Sequence, residues 1–420
     1  MKDPSSSLTP LSGGHPIPHT SPRVLWLQVS GLASVQGAIS ITWVIYSLYL
    51  PQLLAQVGLS AALATSFLIA ENFLGALLEP LMGGLSDQAK RWMGTRFPFI
   101  SVGVILSSAL FIALPAIVIF GNPTDAARSV LPVVAIAWAV AMTVFRSPAV
   151  SLLGQYATPA ALPLAASLLT LSGGLIAAFR PFANKLVLGL GPAVTFAIGS
   201  FVLLGATAVL RFVHPPETPT PSVESSETSR LPTPDSLLPT LGLIFVTGAG
   251  VAWGSRFLMQ MLPKIIKNLS SAANAEGIMF VIAITLAFMA LPAGMFAVKL
   301  GNQRAMLYGI GASIGLMLLI PFIPNLVIGV AAMIAVVAAF SLIVNGVIPF
   351  VLSVVPPQRS GLGIGMYFGG SAAAAGLFGL VITQSSLMAP ITTAFLGAIA
   401  FFVAGLCIAA STKVNVQALS

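Results

Sequence analysis

The chain has 420 residues, 57% hydrophobic and only 7% charged, with a formal net charge of +8. A soluble domain carries about 25% charged residues, so this composition excludes a water-soluble fold. The positive balance does not mark a nucleic-acid binder either, because the basic residues are scattered between apolar segments instead of gathered on one soluble face.

Residues 1–22 are rich in Ser, Pro, Gly and His and read as a disordered cytoplasmic tail. They do not read as a cleaved signal peptide, since the polar stretch is too long and lacks a short basic start. His15 and His19 stand four apart on a proline-flanked segment, a poor metal site, and no metal or organic cofactor is expected. Apolar runs then follow at 25–52, 60–85, 98–120, 129–153, 163–188 and 192–213. A linker of Pro, Ser, Thr and Glu spans 214–236 and reads as a solvated connector. Six more runs lie at 238–262, 273–299, 304–323, 326–355, 362–384 and 389–410. Most reach the roughly 20 apolar residues that a membrane helix needs. Barrel strands would alternate over about ten residues, and no such segments stand out. The single cysteine, Cys407, falls in the last run and can form no internal disulfide.

Two bundles of six helices are therefore expected at 23–213 and 237–411, with a short C-terminal tail at 412–420. Loop charges orient them. Lys2, Arg23, Lys90, Arg91, Arg96, Arg211, Arg230, Lys299, Arg304, Arg359 and Lys413 fall on the side of the termini; Arg128, Lys185, Lys264 and Lys267 fall on the other. That imbalance puts both termini in the cytoplasm, and a bacterial inner membrane is the expected location. The halves also echo each other. Pro80 to Asp87 and Pro292 to Lys299 have equal spacing at the end of the second helix of each half, and each is followed by Gly and Arg: Gly94 and Arg96, then Gly301 and Arg304. An all-α membrane protein of twelve transmembrane helices in two related six-helix bundles is the major facilitator fold.

The stretch from Glu79-Pro80-Leu81-Met82-Gly83 to Gly94-Thr95-Arg96-Phe97-Pro98-Phe99-Ile100 resembles the glycoside–pentoside–hexuronide sugar–cation symporters and the related sucrose transporters. Ser86-Asp87, Gly94, Arg96 and Pro98-Phe99-Ile100 are similar to the sucrose-type pattern, and Glu71-Asn72 to the acidic-Asn pair of bacterial sucrose-type relatives. Arg146-Ser147-Pro148-Ala149-Val150 resembles a stretch of the same bacterial group. The chain departs from the pattern at Thr95, Gln88 and Gln155. The resemblance implies a sugar as substrate and a coupling cation, H+ or Na+, at the position of Glu79.

Glu71 lies near the middle of the second span and Glu79 two turns further on, on roughly the same face. A carboxylate at that depth can take and release a proton or ligate sodium as access alternates, so both are candidate cation-coupling groups. Asp87, Arg91, Gly94 and Arg96 form an expected gating loop between the second and third spans, reached through a glycine-rich turn, with Asp87 pairing to basic groups in one state only. Arg146, Arg180 and Arg256 fall inside spans, where an arginine faces a cavity or a partner. They are the first candidates for substrate binding, with Asn72, Asn345, Gln36 and Tyr367 as further pore-lining groups beside Trp43 and Tyr46. Three arginines against two glutamates leave one cation unmatched, which makes an anionic substrate an expectation to test.

No phosphate-binding Gly-Lys-Ser/Thr loop appears, and His214 stands alone in the linker, so neither a nucleotide-driven pump nor an enzyme is expected. The favoured reading is a monomeric carrier in the lipid bilayer that takes a small-molecule substrate, a sugar or glycoside, by cation symport. A proton-coupled exporter of lipophilic or anionic compounds, and a non-transporting scaffold that assembles or delivers pigment complexes, are the rivals.

Overall fold

The computed structural model describes residues 23–121, 125–215, 234–270, 274–382 and 388–419. The expected N-terminal tail and most of the expected linker lie outside them. The first bundle comprises α1 (Trp26–Gln56), α2 (Leu63–Met93), α3 (Phe97–Gly121), α4 (Asp125–Ser151), the single turn α5 (Leu153–Tyr156), α6 (Leu162–Gly189) and α7 (Pro192–Val213). The second comprises α8 (Pro234–Leu269), α9 (Ala275–Leu300), α10 (Asn302–Leu319), α11 (Leu326–Val354), α12 (Ser360–Ile382) and α13 (Pro390–Leu419). Twelve of these helices are long and apolar enough to cross a membrane. Among the described residues the one departure from helix, turn and coil is a single bridge between Val24 and Ala157, which ties the entry of α1 to the segment after α5.

Each bundle has its own apolar core. In the first, Trp138, Phe111, Tyr46 and Phe196 are almost completely buried; in the second, Phe257, Phe350 and Phe401 are. The outer surface is apolar as well: Phe120 is 84% exposed and Phe212 88%. In water such a surface would drive association, whereas in a bilayer it faces acyl chains.

The bundles meet along two antiparallel helix pairs, α2 with α12 and α6 with α9. Both seams depend on small residues. A Cβ on Gly83 would strike the carbonyl of Gly361, and a Cβ on Gly174 would lie 2.9 Å from that of Ala287. Such close backbone approach is the usual means of helix association where lipid removes the hydrophobic drive.

The structure corrects one local expectation. Gly83-Gly84 is not a turn: α2 continues through it to Met93, so Asp87 and Arg91 are helical, and the connection to α3 is only Gly94-Thr95-Arg96. Each glycine costs a helix roughly 1 kcal/mol relative to alanine, but at Gly83 the packing of α12 requires the missing side chain. The helix ends instead at Gly94, in the left-handed conformation with φ 75°. Helix also occupies residues expected as linker and tail, since α8 starts at Pro234 and α13 runs to Leu419.

Candidate functional site

A polar cavity of about 80 Å³ lies where α1, α2 and α4 meet α12. Helix α2 presents Leu68, Glu71, Asn72, Gly75 and Glu79 to it, and α4 presents Ala139, Met142, Thr143 and Arg146. These are helical repeats of three or four residues, so each set forms one face. Trp43 of α1 and Ala372 of α12 complete the wall. The cavity therefore sits between the bundles, with all its charges on one of them.

The two glutamates stand in different surroundings. Glu79 is 2% exposed, accepts a hydrogen bond from the Ser147 hydroxyl and has Arg146 Nη1 at 3.4 Å. It is thus a paired charge held between α2 and α4. The Arg146 guanidinium also lies over the ring of Phe368, 4.0 Å from its centre, which links the pair to α12 across the bundle boundary. Tyr367 packs edge-on against Phe368, with ring centres 5.5 Å apart. Glu71 is 6% exposed, and its Oε1 accepts a hydrogen bond from the phenol of Tyr46. Its Oε2 is buried without a hydrogen-bond partner, and among the described residues no cation lies within ion-pair distance. A bare carboxylate oxygen in a low-dielectric site is costly unless a cation reaches it.

The face of the molecule that carries the termini is closed by a second polar cluster. Asp87 accepts hydrogen bonds from the backbone N–H of Gly361 at 2.9 Å and of Leu362 at 2.8 Å, at the start of α12. The first amides of a helix have no partner within it and carry partial positive charge, so an aspartate suits them. Arg96, 1% exposed, pairs with Asp87 and donates to the Ser360 hydroxyl at 2.9 Å. Arg91 is exposed, and Gly94 ends α2 as described.

Of the other expected substrate-binding residues, Asn72 alone lines the cavity. Arg180 is exposed and lines a separate opening of about 490 Å³ near the opposite face, with Glu276 of α9. Arg256 is also exposed and stands 5.7 Å from the Phe378 ring centre. Of the three arginines expected at the site, Arg146 alone lines the cavity with the two glutamates. Asn345 is buried and donates to the carbonyl of Ala290 at 2.6 Å, pinning α11 to α9. Asn72 lines the cavity while its amide returns to Leu68 of its own helix at 2.6 Å. Gln36 is half-buried on α1 and does not line the cavity, nor does Tyr367. Sequence reasoning named Ser147 only as part of the Arg146–Val150 stretch, with no role, and did not single out Thr143, Phe368 or Ser360, which have no signature beyond helical spacing from Arg146 and Tyr367.

The profile of the Major Facilitator Superfamily matches residues 32–380. No curated protein matches the chain in sequence. Crystal structures of a bacterial homologue of the iron transporter ferroportin resemble it in fold. The outward-facing state with soaked iron superposes with a TM-score of 0.68 at 13% identity, over 91% of this chain and 99% of that one. The E. coli fucose:proton symporter FucP superposes with a TM-score of 0.62 at 12% identity, over 93% of this chain and 99% of that one. Two six-helix bundles around a charged cavity, and a family match over most of the length, make this chain a member of the Major Facilitator Superfamily: a transporter and not an enzyme.

Proposed function

We propose that the protein is a proton-coupled secondary transporter in which Glu71 carries the proton and the central cavity carries a small polar solute, a sugar or glycoside. The observation that supports this most directly is the buried, unpartnered Oε2 of Glu71, a residue that lines a cavity shared by the two bundles. With the proton bound, the cavity is charge-balanced, since Glu79 and Arg146 offset each other. Arg146, Asn72 and Thr143 then offer hydrogen-bonding groups and Trp43 a flat apolar face, a combination suited to an uncharged hydroxylated ring once the bundles part and the cavity widens beyond its present volume of about 80 Å³.

In this reading both termini are cytoplasmic and the protein works as a monomer by alternating access. The Asp87 cluster is the inner gate, closed here, and the opening beside Arg180 is the outer mouth. The sugar comes from the motif resemblance, and the fold likeness to a fucose:proton symporter is in keeping with it. Solute-induced proton movement in proteoliposomes, across a panel of sugars, organic acids and lipophilic cations, tests it. External alkalinisation on adding one sugar, absent in Glu71→Gln, is the expected result. A signal with organic acids or lipophilic cations instead would favour an exporter. A sugar response that requires sodium and moves no proton would replace the coupling ion.

A further inference from the structure

Tyr46 has no part in the sugar-binding reading, yet it makes the only described hydrogen bond to Glu71. It is 0% exposed, and its ring is held by other aromatic rings. Trp138 of α4 lies 4.3 Å away centre to centre, and Trp43, one turn earlier on α1, lies edge-on at 5.9 Å. Trp138 in turn stacks on Phe111 of α3 at 5.1 Å, and Phe111 packs on Phe196 of α7 at 4.4 Å. A column of rings through four helices thus fixes where the phenol points.

We infer that Tyr46 is a positioning residue for ion coupling: it holds the Glu71 carboxyl by Oε1, so that Oε2 alone receives the ion from the cavity. The inference rests on reading Glu71 as the coupling group. A carboxyl with a free torsion could present either oxygen, or turn away from the cavity altogether. With one oxygen held, a proton arrives and leaves at one place. The other charged groups at the cavity, Glu79 and Arg146, pair with each other and do not take over that role. Topology adds a second consequence. Tyr46 and Glu71 both belong to the first bundle, so their bond is kept when the bundles move apart. The contacts of Arg146 with Phe368 and of Asp87 with Gly361 cross the boundary and change with it. The ion site therefore travels intact while access to it switches.

Infrared difference spectroscopy of the full chain in lipid, between acid and alkaline pH, tests this with the proton as the probe. The wild type is expected to show the C=O stretch of a protonated carboxyl that Glu71→Gln removes. Tyr46→Phe keeps the ring and its packing but removes the donor, so the band should persist at higher frequency. Tyr49→Phe is the control: this equally buried phenol of α1 donates to the Val187 carbonyl at 2.7 Å and should leave the band in place. A band lost in Glu71→Gln but unmoved by Tyr46→Phe would overturn the inference and leave the coupling reading standing. A band that survives Glu71→Gln would overturn the coupling reading itself.

Discussion

Helix α2 of the first bundle buries Glu71, Glu79 and Asp87, whereas α9, its counterpart in the second, carries only Glu276 and Lys299, both exposed. The three carboxylates of α2 stand at eight-residue intervals, each about 12 Å of helix rise from the next. In the function proposed above, Glu71 carries the proton, Glu79 pairs with Arg146 of α4 and Asp87 belongs to the inner gate. The second bundle answers with uncharged parts: the wall at Ala372, the ring of Phe368 and the amides at the start of α12. Two halves of one architecture have divided the work, with charge on one side and shape and backbone dipole on the other. Burying charges in one rigid body lets their pairing survive the motion that separates the bodies.

If that division is right, substitutions in the two bundles should have unequal effects. The largest loss of stability is expected from Asp87→Ala, which leaves the buried guanidinium of Arg96 without its partner, a change that costs about 3–5 kcal/mol. The same variant should loosen the inner gate. Spin labels at Trp92 and Arg359, both exposed on the face of the termini, should then show a broader and longer distance distribution than in the wild type. An unchanged distribution would mean that Asp87 does not hold the bundles together.

Gly361→Ala should act on the same gate without removing a charge. Its Cβ would lie 2.6 Å from the carbonyl oxygen of Gly83 and 2.7 Å from Asp87 Oδ1, so the helices must part. The same pair of labels should report a shift in the direction seen for Asp87→Ala, but smaller. In the second bundle, Asn345→Ala removes one buried hydrogen bond, worth about 1 kcal/mol, and should lower thermal stability while leaving transport per folded molecule intact. Lys299→Ala should change stability by no more than about 0.5 kcal/mol, as exposed positions usually do. A large transport defect from either would contradict the division of labour.

Much of this was legible in the sequence, for definite reasons. Twelve spans follow from hydropathy because lipid forces backbone groups to bond within a helix. Glu71, Glu79 and Arg146 stand out because charges inside a span are rare, and their spacing puts them on inward faces. The gate was legible as a motif but not as a geometry. Gly83-Gly84 reads as a turn from propensity alone, whereas the approach of Gly361 explains why a glycine stands at 83 inside a helix. Arg180 and Arg256 do stand in spans, but hydropathy does not show which way a span residue faces, and neither lines the Glu71 cavity. Which residue answers Glu71 could not be read at all, since Tyr46 lies 25 positions away on another helix and is joined to it only by packing.

The most direct test of the central claim is a comparison of uphill accumulation with counterflow in Glu71→Gln proteoliposomes, using whichever solute moves protons in the wild type. Counterflow exchanges solute without net proton movement, whereas accumulation against a gradient needs the coupled ion. Preserved counterflow with accumulation reduced to the equilibrium level is the result this account predicts. Accumulation that persists under a proton gradient in Glu71→Gln would contradict it and move the coupling site away from the Tyr46–Glu71 pair.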